Sequence, residues 1–186
     1  MIFLCGRAAS ALTDIFAIHD EISRGIVNSL RLKLGRGRRR YETSAEACDL
    51  CLRARAMGIQ QGGEGEVQSI TRLQEAIAKD PSFAPAYAGL AAARAYRSGS
   101  GNFGTAEELA QMQAEAEKAL ELDPLLAEAH GALGMAFARQ AQWERSEKSF
   151  RRALQLDPND PVIYGNYGLY LLFPLGRIQE AVINHR

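Results

Sequence analysis

AIAKDPSFAPAYAGLA (residues 76–91), ALELDPLLAEAHGALG (119–134) and ALQLDPNDPVIYGNYG (153–168) are one phrase written three times. Each closes a helical run on Asp-Pro, turns, and starts a second helical run. In that second run an aromatic or His stands three places before an apolar-small pair: Tyr87 before Leu90-Ala91, His130 before Leu133-Gly134, Tyr164 before Tyr167-Gly168. The residue before a proline is pushed out of the α region, so Asp80, Asp123 and Asp157 should end helices. Ala84-Pro85 and Asp160-Pro161 should begin new ones, because proline suits the first helical turn. A helical hairpin repeated along a chain buries its apolar face against its neighbours, which predicts a stack with an extended surface rather than a pocketed core.

The cleanest copy spans 127–158. His130, Leu133, Gly134 and Phe137 lie on its first helix, and Ser146, Phe150, Ala153 and Pro158 follow. This spacing resembles the tetratricopeptide pattern W-x2-L-G-x2-Y … A-x3-F … A … P. From His130 to Tyr164 is 34 residues, the period of that family. The last copy (161–186) carries Tyr164, Tyr167, Gly168, Leu171, Gly176 and Ala181, with one extra residue in its turn. The copy at 84–124 (Tyr87, Leu90, Ala91, Met112, Ala116, Ala119, Pro124) is longer, with SGSGNFG (98–104) as the insertion and Thr105/Glu108 as a capping box beyond it. The earliest, 45–81, is degenerate: Cys48, Cys51, Leu52 and Arg55, a glycine-rich turn at Gly62–Gly65, then Ser69, Leu73, Ala76 and Pro81. Arg55 and Arg94 stand where the pattern has an aromatic. The expected fold is all-α, a tetratricopeptide superhelix of stacked antiparallel hairpins over 45–186, preceded by one amphipathic helix.

That helix is read at 13–34, between a short N-terminal remnant (1–12) and a basic linker (35–44). Ile15, Ile18, Ile22, Ile26, Leu30 and Leu34 recur at helical spacing. Leu12–Leu34, together with EACDLCLRARAM (46–57), resembles the segment that opens the repeat tail of bacterial multidomain signalling proteins. In those, an adenylate cyclase or TolB-like domain precedes the repeats. The resemblance implies a regulatory tail whose head domain lies upstream of Met1.

Net charge is zero, but six of the 22 basic groups fall in RLKLGRGRRR (31–40) with no acid among them. The rest of the chain holds 16 basic against 22 acidic groups, a balance that disfavours a nucleic-acid-binding field. The basic run reads as solvated linker, with contact to an upstream domain as the alternative. No apolar run is long enough to span a membrane, MIFLC is too short for a signal peptide, and three cysteines make no disulfide framework. A cytoplasmic location is expected.

No catalytic constellation, cofactor motif or metal-ligand spacing emerges. Cys48 and Cys51 invite a zinc or redox reading, but the three histidines are scattered and the pair falls within a helix, which favours core packing. The glycine clusters at 62–65 and 99–104 lack the Lys-Ser/Thr of a phosphate-binding loop. Glu107, Glu108, Glu115 and Glu117 read as a solvated helix face, and His130 as a packed core residue.

The tetratricopeptide resemblance implies a groove lined by residues one, five and nine beyond the first aromatic position. In this sequence these are Asp49, Arg53 and Met57; Ala88, Ala92 and Tyr96; Gly131, Met135 and Arg139; and Gly165, Leu169 and Phe173, with Asn166 beside them. The candidate contacts are Arg53, Met57, Tyr96, Met135, Arg139 and Asn166, suited to an extended peptide or inserted helix. The Lys/Asn arrangement with which family members hold a C-terminal carboxylate is absent. The function expected is a non-enzymatic protein-interaction scaffold of regulatory role. The alternatives are a self-association module, a homodimer built on Ile178, Val182 and Ile183, or the regulatory tail of a nucleotide cyclase or TolB-like protein.

Overall fold

The computed structural model describes residue 41 and residues 43–60, 62–99 and 105–183. Their elements are α1 (Ala45–Gln60), α2 (Gly62–Lys79), α3 (Ala84–Gly99), α4 (Ala106–Leu122), α5 (Ala127–Arg139), α6 (Trp143–Leu156), α7 (Pro161–Tyr167, continuing into a π-helical turn, Gly168–Leu172) and α8 (Ile178–Ile183). The amphipathic segment 13–34 and the basic residues up to 40 lie outside the described residues. The pairs α1–α2, α3–α4 and α5–α6 are hairpins; α2 packs on α3, α4 on α5, and the first helices α3, α5 and α7 lie against one another in sequence. This is the all-α stack of antiparallel hairpins that the repeats call for.

The Asp-Pro junctions work by one device. After α2, α4 and α6 end, the Oδ1 of Asp80, Asp123 and Asp157 accepts the backbone N–H two residues on, from Ser82 (2.9 Å), Leu125 (3.0 Å) and Asn159 (3.3 Å). An aspartate bonded to its own following turn offers the backbone an alternative to the helix, while the next proline forbids continuation. The middle junction also receives a residue from the predicted linker. The Tyr41 hydroxyl donates to Asp123 Oδ2 (2.6 Å), and the Tyr41 ring meets Phe83 edge-on at 5.6 Å. The chain just ahead of α1 is therefore anchored to the array at Tyr41, and Ser44 accepts the Ala47 N–H.

Small residues set the helix separation. A Cβ at Gly134 would stand 2.8 Å from Phe150 Cδ2, and a Cβ at Gly89 would stand 3.0 Å from Leu73 Cδ2. Ser146, fully buried, donates its hydroxyl to the Gly134 carbonyl (2.8 Å), so the same close approach also satisfies a polar atom. Phe150 lies at the centre of the main core with Met112, Met135, Ala136 and Leu171.

Four expectations are corrected. Gly62–Gly65 is not a turn: α2 begins at Gly62, and Gly65 is buried within it. The extra residue of the last copy is taken up by the helix rather than the turn, since the Phe173 N–H reaches back five residues to the Gly168 carbonyl (2.9 Å). Leu52, placed where later copies have Ala91 and Gly134, is 61% exposed while its neighbour Cys51 is buried. A leucine is too large for the close approach that Gly134 makes, and α1 turns it outward. Glu115 is not on a solvated face: Arg94 Nε lies 2.9 Å from both its carboxylate oxygens, with both side chains largely buried. Burial raises the Glu115 carboxyl above its ordinary range, and Arg94 opposes that rise. Arg94 and Arg55 thus occupy aromatic positions by adding a charge partner to their aliphatic stems.

Candidate functional site

Three successive first helices each send one polar side chain to a common place. Tyr96 comes from the last turns of α3, Arg139 ends α5, and Asn166 lies on α7. The Tyr96 hydroxyl is within hydrogen-bonding distance of Asn166 Oδ1 (3.1 Å) and Nδ2 (2.9 Å). Arg139 Nη2 donates to the Ala95 carbonyl (3.0 Å), and its guanidinium carbon stands 4.9 Å from the centre of the Tyr170 ring. The Tyr96 and Tyr170 rings lie 6.4 Å apart. All three predicted side chains are half-buried, so the cluster is ordered by its own bonds yet reaches the surface. Burial raises the pKa of both tyrosines. At Tyr170 the neighbouring Arg139 pulls the other way, and the field of Glu66 adds to the rise.

The other predicted contacts separate from this cluster. Met135 is 1% exposed and belongs to the core, because α7 and its π-turn cover the position; it is corrected from groove contact to packing residue. Arg53 makes a local ion pair with Asp49 (2.7 Å) on the exposed side of α1, and Met57 is half-buried. Of the self-association residues, Ile178 is 54% exposed, and the side chains of Val182 and Ile183 lie outside the described residues. Two participants were missed from sequence. Tyr170 follows Asn166 by one helical turn, a signal available in principle. Glu66 had none, since the reach of its field to Tyr170 depends on how α2 stacks.

Arg55 Nη1 donates to Glu128 Oε1 (2.9 Å) and Nη2 pairs with Glu128 Oε2, joining α1 to α5 past the intervening α3. Cys51, beneath it in α1, is buried, and burial raises its thiol pKa, which leaves it a poor nucleophile. No group of three or more His, Cys, Asp or Glu among the described residues is placed to hold a metal ion. No helix among them is long and apolar enough to cross a membrane. His130 is half-buried and its Nε2 lies 3.0 Å from the Pro124 carbonyl; burial lowers its pKa.

A family model described as "Tetratricopeptide repeat" matches residues 127–160. A Rhizobium meliloti (strain 1021) protein named "Putative adenylate cyclase 3" is 32% identical over 147 residues, covering 76% of this chain; the chain spans 25% of that relative's length. Among solved structures, a thermophilic tetratricopeptide protein of Thermus thermophilus superposes with a TM-score of 0.60 at 20% identity, over 75% of this chain and 71% of that one. The first such domain of Spaghetti (RPAP3), solved with the HSP90 peptide SRMEEVD, superposes with a TM-score of 0.53 at 18% identity, over 69% and 94% of the two chains.

Proposed function

From a chain that is a tetratricopeptide-repeat protein, we propose a non-enzymatic scaffold that holds an extended peptide or a helix of a protein partner along the face of its first helices. The observation that carries this reading is the convergence of Tyr96, Arg139 and Asn166 from three consecutive repeats. A partner laid along the stack meets all three, while the same bonds also join the second, third and fourth hairpins to one another. The peptide-bound Spaghetti domain has the same fold, which supports peptide binding as a use of that fold. Similarity to part of a Rhizobium protein named as an adenylate cyclase supports a regulatory role, in which the array serves a signalling domain. Random peptides displayed on phage and selected on the full chain test the scaffold reading. Enriched peptides should lose binding to the double variant Tyr96→Ala/Asn166→Ala. Selection that yields no binder, or binders indifferent to that variant, sinks it.

A second reading, self-association, is supported by one observation. Val162, Leu175 and Ile178 of the last hairpin are large, apolar and exposed. Light scattering after size exclusion, over a concentration series, decides it: a dimer abolished by Ile178→Glu supports the reading, and a monomer throughout ends it.

A further inference from the structure

Ahead of α1 the chain meets two of the three Asp-Pro turns. The Tyr41 hydroxyl donates to Asp123 Oδ2 (2.6 Å) at the α4–α5 turn, and the Tyr41 ring stands edge-on to Phe83 (5.6 Å) at the α2–α3 turn. Ser82 chiefly, and Thr43 with it, hold the Asp80 carboxyl of the α2–α3 turn below its ordinary range. Ser44 then accepts the Ala47 N–H (3.1 Å) and starts α1. Tyr41 therefore moves with the first hairpin, yet it bonds to the residue from which the third hairpin departs.

The repeats supply their own comparison. Asp80, Asp123 and Asp157 each bind the following turn through Oδ1, yet Asp123 is 2% exposed while the other two are half-buried. Asp123 is the one of the three that Tyr41 meets. Its oxygens have separate tasks: Oδ1 accepts the Leu125 N–H (3.0 Å) and holds the turn, and Oδ2 holds the tyrosine. Tyr41 can leave without undoing that turn. Its half-buried ring lies against the core of α1, α2 and α3 and against the apolar cluster that α3, α4 and α5 share. When the ring swings out, those helices keep one another, and the Asp123 carboxylate regains water. Hydration regained offsets much of the charged hydrogen bond lost, so the closed setting is favoured by only about tenfold.

We infer that Tyr41 is a latch between the array and the chain ahead of it, closed on Asp123 and opened when the third hairpin shifts against the first. Closed, it fixes the approaching chain to the α4–α5 turn. A change in the stack draws the two ends of the bond apart and frees that chain. By reciprocity, a pull on the chain loosens the turn.

The test uses the full chain and Tyr41→Phe, which removes one oxygen and keeps the ring. Amide hydrogen exchange should quicken about tenfold at Ala47 and Cys48, which bond to Ser44, and also at Leu125 and Leu126, which bond to Asp123. Exchange in α6 should keep the parent's rate, which shows the fold intact. Trypsin should cut the Arg40–Tyr41 bond faster by the same factor, because cleavage follows the open population. Arg55→Gln touches neither Tyr41 nor Asp123 but loosens the link from α1 to Glu128 of α5. It should speed the same cut several-fold, and add little once Tyr41 is already Phe. Quickening at Ala47 and Cys48 that leaves Leu125 and Leu126 at the parent's rate overturns the inference. So does quickening that spreads over α6, or a cut indifferent to Arg55→Gln; in each case the scaffold reading stands.

Discussion

Ala141 holds a backbone φ of +56°, and the residue matching it in the next repeat, Gly176, holds +71°. Both sit in the turn between the helices of a hairpin, where the chain needs a left-handed residue. A non-glycine residue there costs roughly 1–2 kcal/mol, which the greater freedom of glycine in the unfolded chain partly offsets. Ala141→Gly should therefore stabilise the protein by up to about 1 kcal/mol in urea denaturation, and Gly176→Ala should destabilise it by a similar amount. A Cβ at Gly176 meets nothing within 4 Å, so the second effect is one of backbone alone. Equal signs for the two variants would refute the account. Gly134→Ala should cost about 1–3 kcal/mol, since its Cβ would collide with the fully buried Phe150 ring. Gly165→Ala, open at the Cβ and within a helix, should gain up to about 1 kcal/mol. Gly134 was legible from its place in the repeat pattern. Ala141 was not, because the pattern records side chains and the strain lies in a backbone angle.

Helix ends were the most readable elements, because their determinants are local. Thr105 and Glu108 form the predicted capping box, with the Glu108 N–H on Thr105 Oγ1 (3.2 Å) and the Thr105 N–H on Glu108 Oε2 (2.9 Å). Thr105→Ala should cost about 1 kcal/mol of stability by thermal or urea unfolding. The π-helical turn was half-read: one surplus residue could be counted, but whether the turn or the helix absorbs it depends on packing against α6. Docking of the last helix adds an electrostatic element invisible to the pattern. Arg177, just before α8, donates to Glu147 of α6 (3.0 and 3.2 Å) and to Glu180 of α8 (2.9 and 2.7 Å). Chiefly through Arg177, the Glu147 carboxyl is held below its ordinary pKa. An acid with a lowered folded pKa contributes stability above its unfolded value, and that contribution is lost as pH falls through the folded one. The urea midpoint, followed by the single tryptophan Trp143, should fall below about pH 5, and fall less in Glu147→Gln. Parallel pH profiles for the two proteins would remove Glu147 from the explanation.

Across the whole molecule, a repeat array draws its cohesion from neighbours, each hairpin on the next. Periodicity therefore revealed the stack but not the links that skip a repeat. Met135 was misjudged for the same reason: its exposure depends on how closely the next hairpin closes over it, which spacing does not encode. Arg55 and Glu128 form such a skipping link, from the first hairpin to the third, with each side chain about a third exposed. Breaking a charged, partly screened pair of this kind costs about 1–2 kcal/mol. Where the loss falls is the sharper prediction. In Arg55→Gln, amide hydrogen exchange should quicken across α1 and α2, which keep the packing of α2 on α3, the slighter contact of α1 with α3 and the Tyr41 anchor ahead of α1. Exchange in α5 and α6 should stay near the parent's, because the Phe150 core that holds them does not include the pair. Uniform quickening over all the helices would mean that the array unfolds as one unit and that the pair adds only to its total. Quickening confined to α1 and α2 would make Arg55–Glu128 the brace that fixes how the first hairpin sits on the rest, and so how far the face presented to a partner extends.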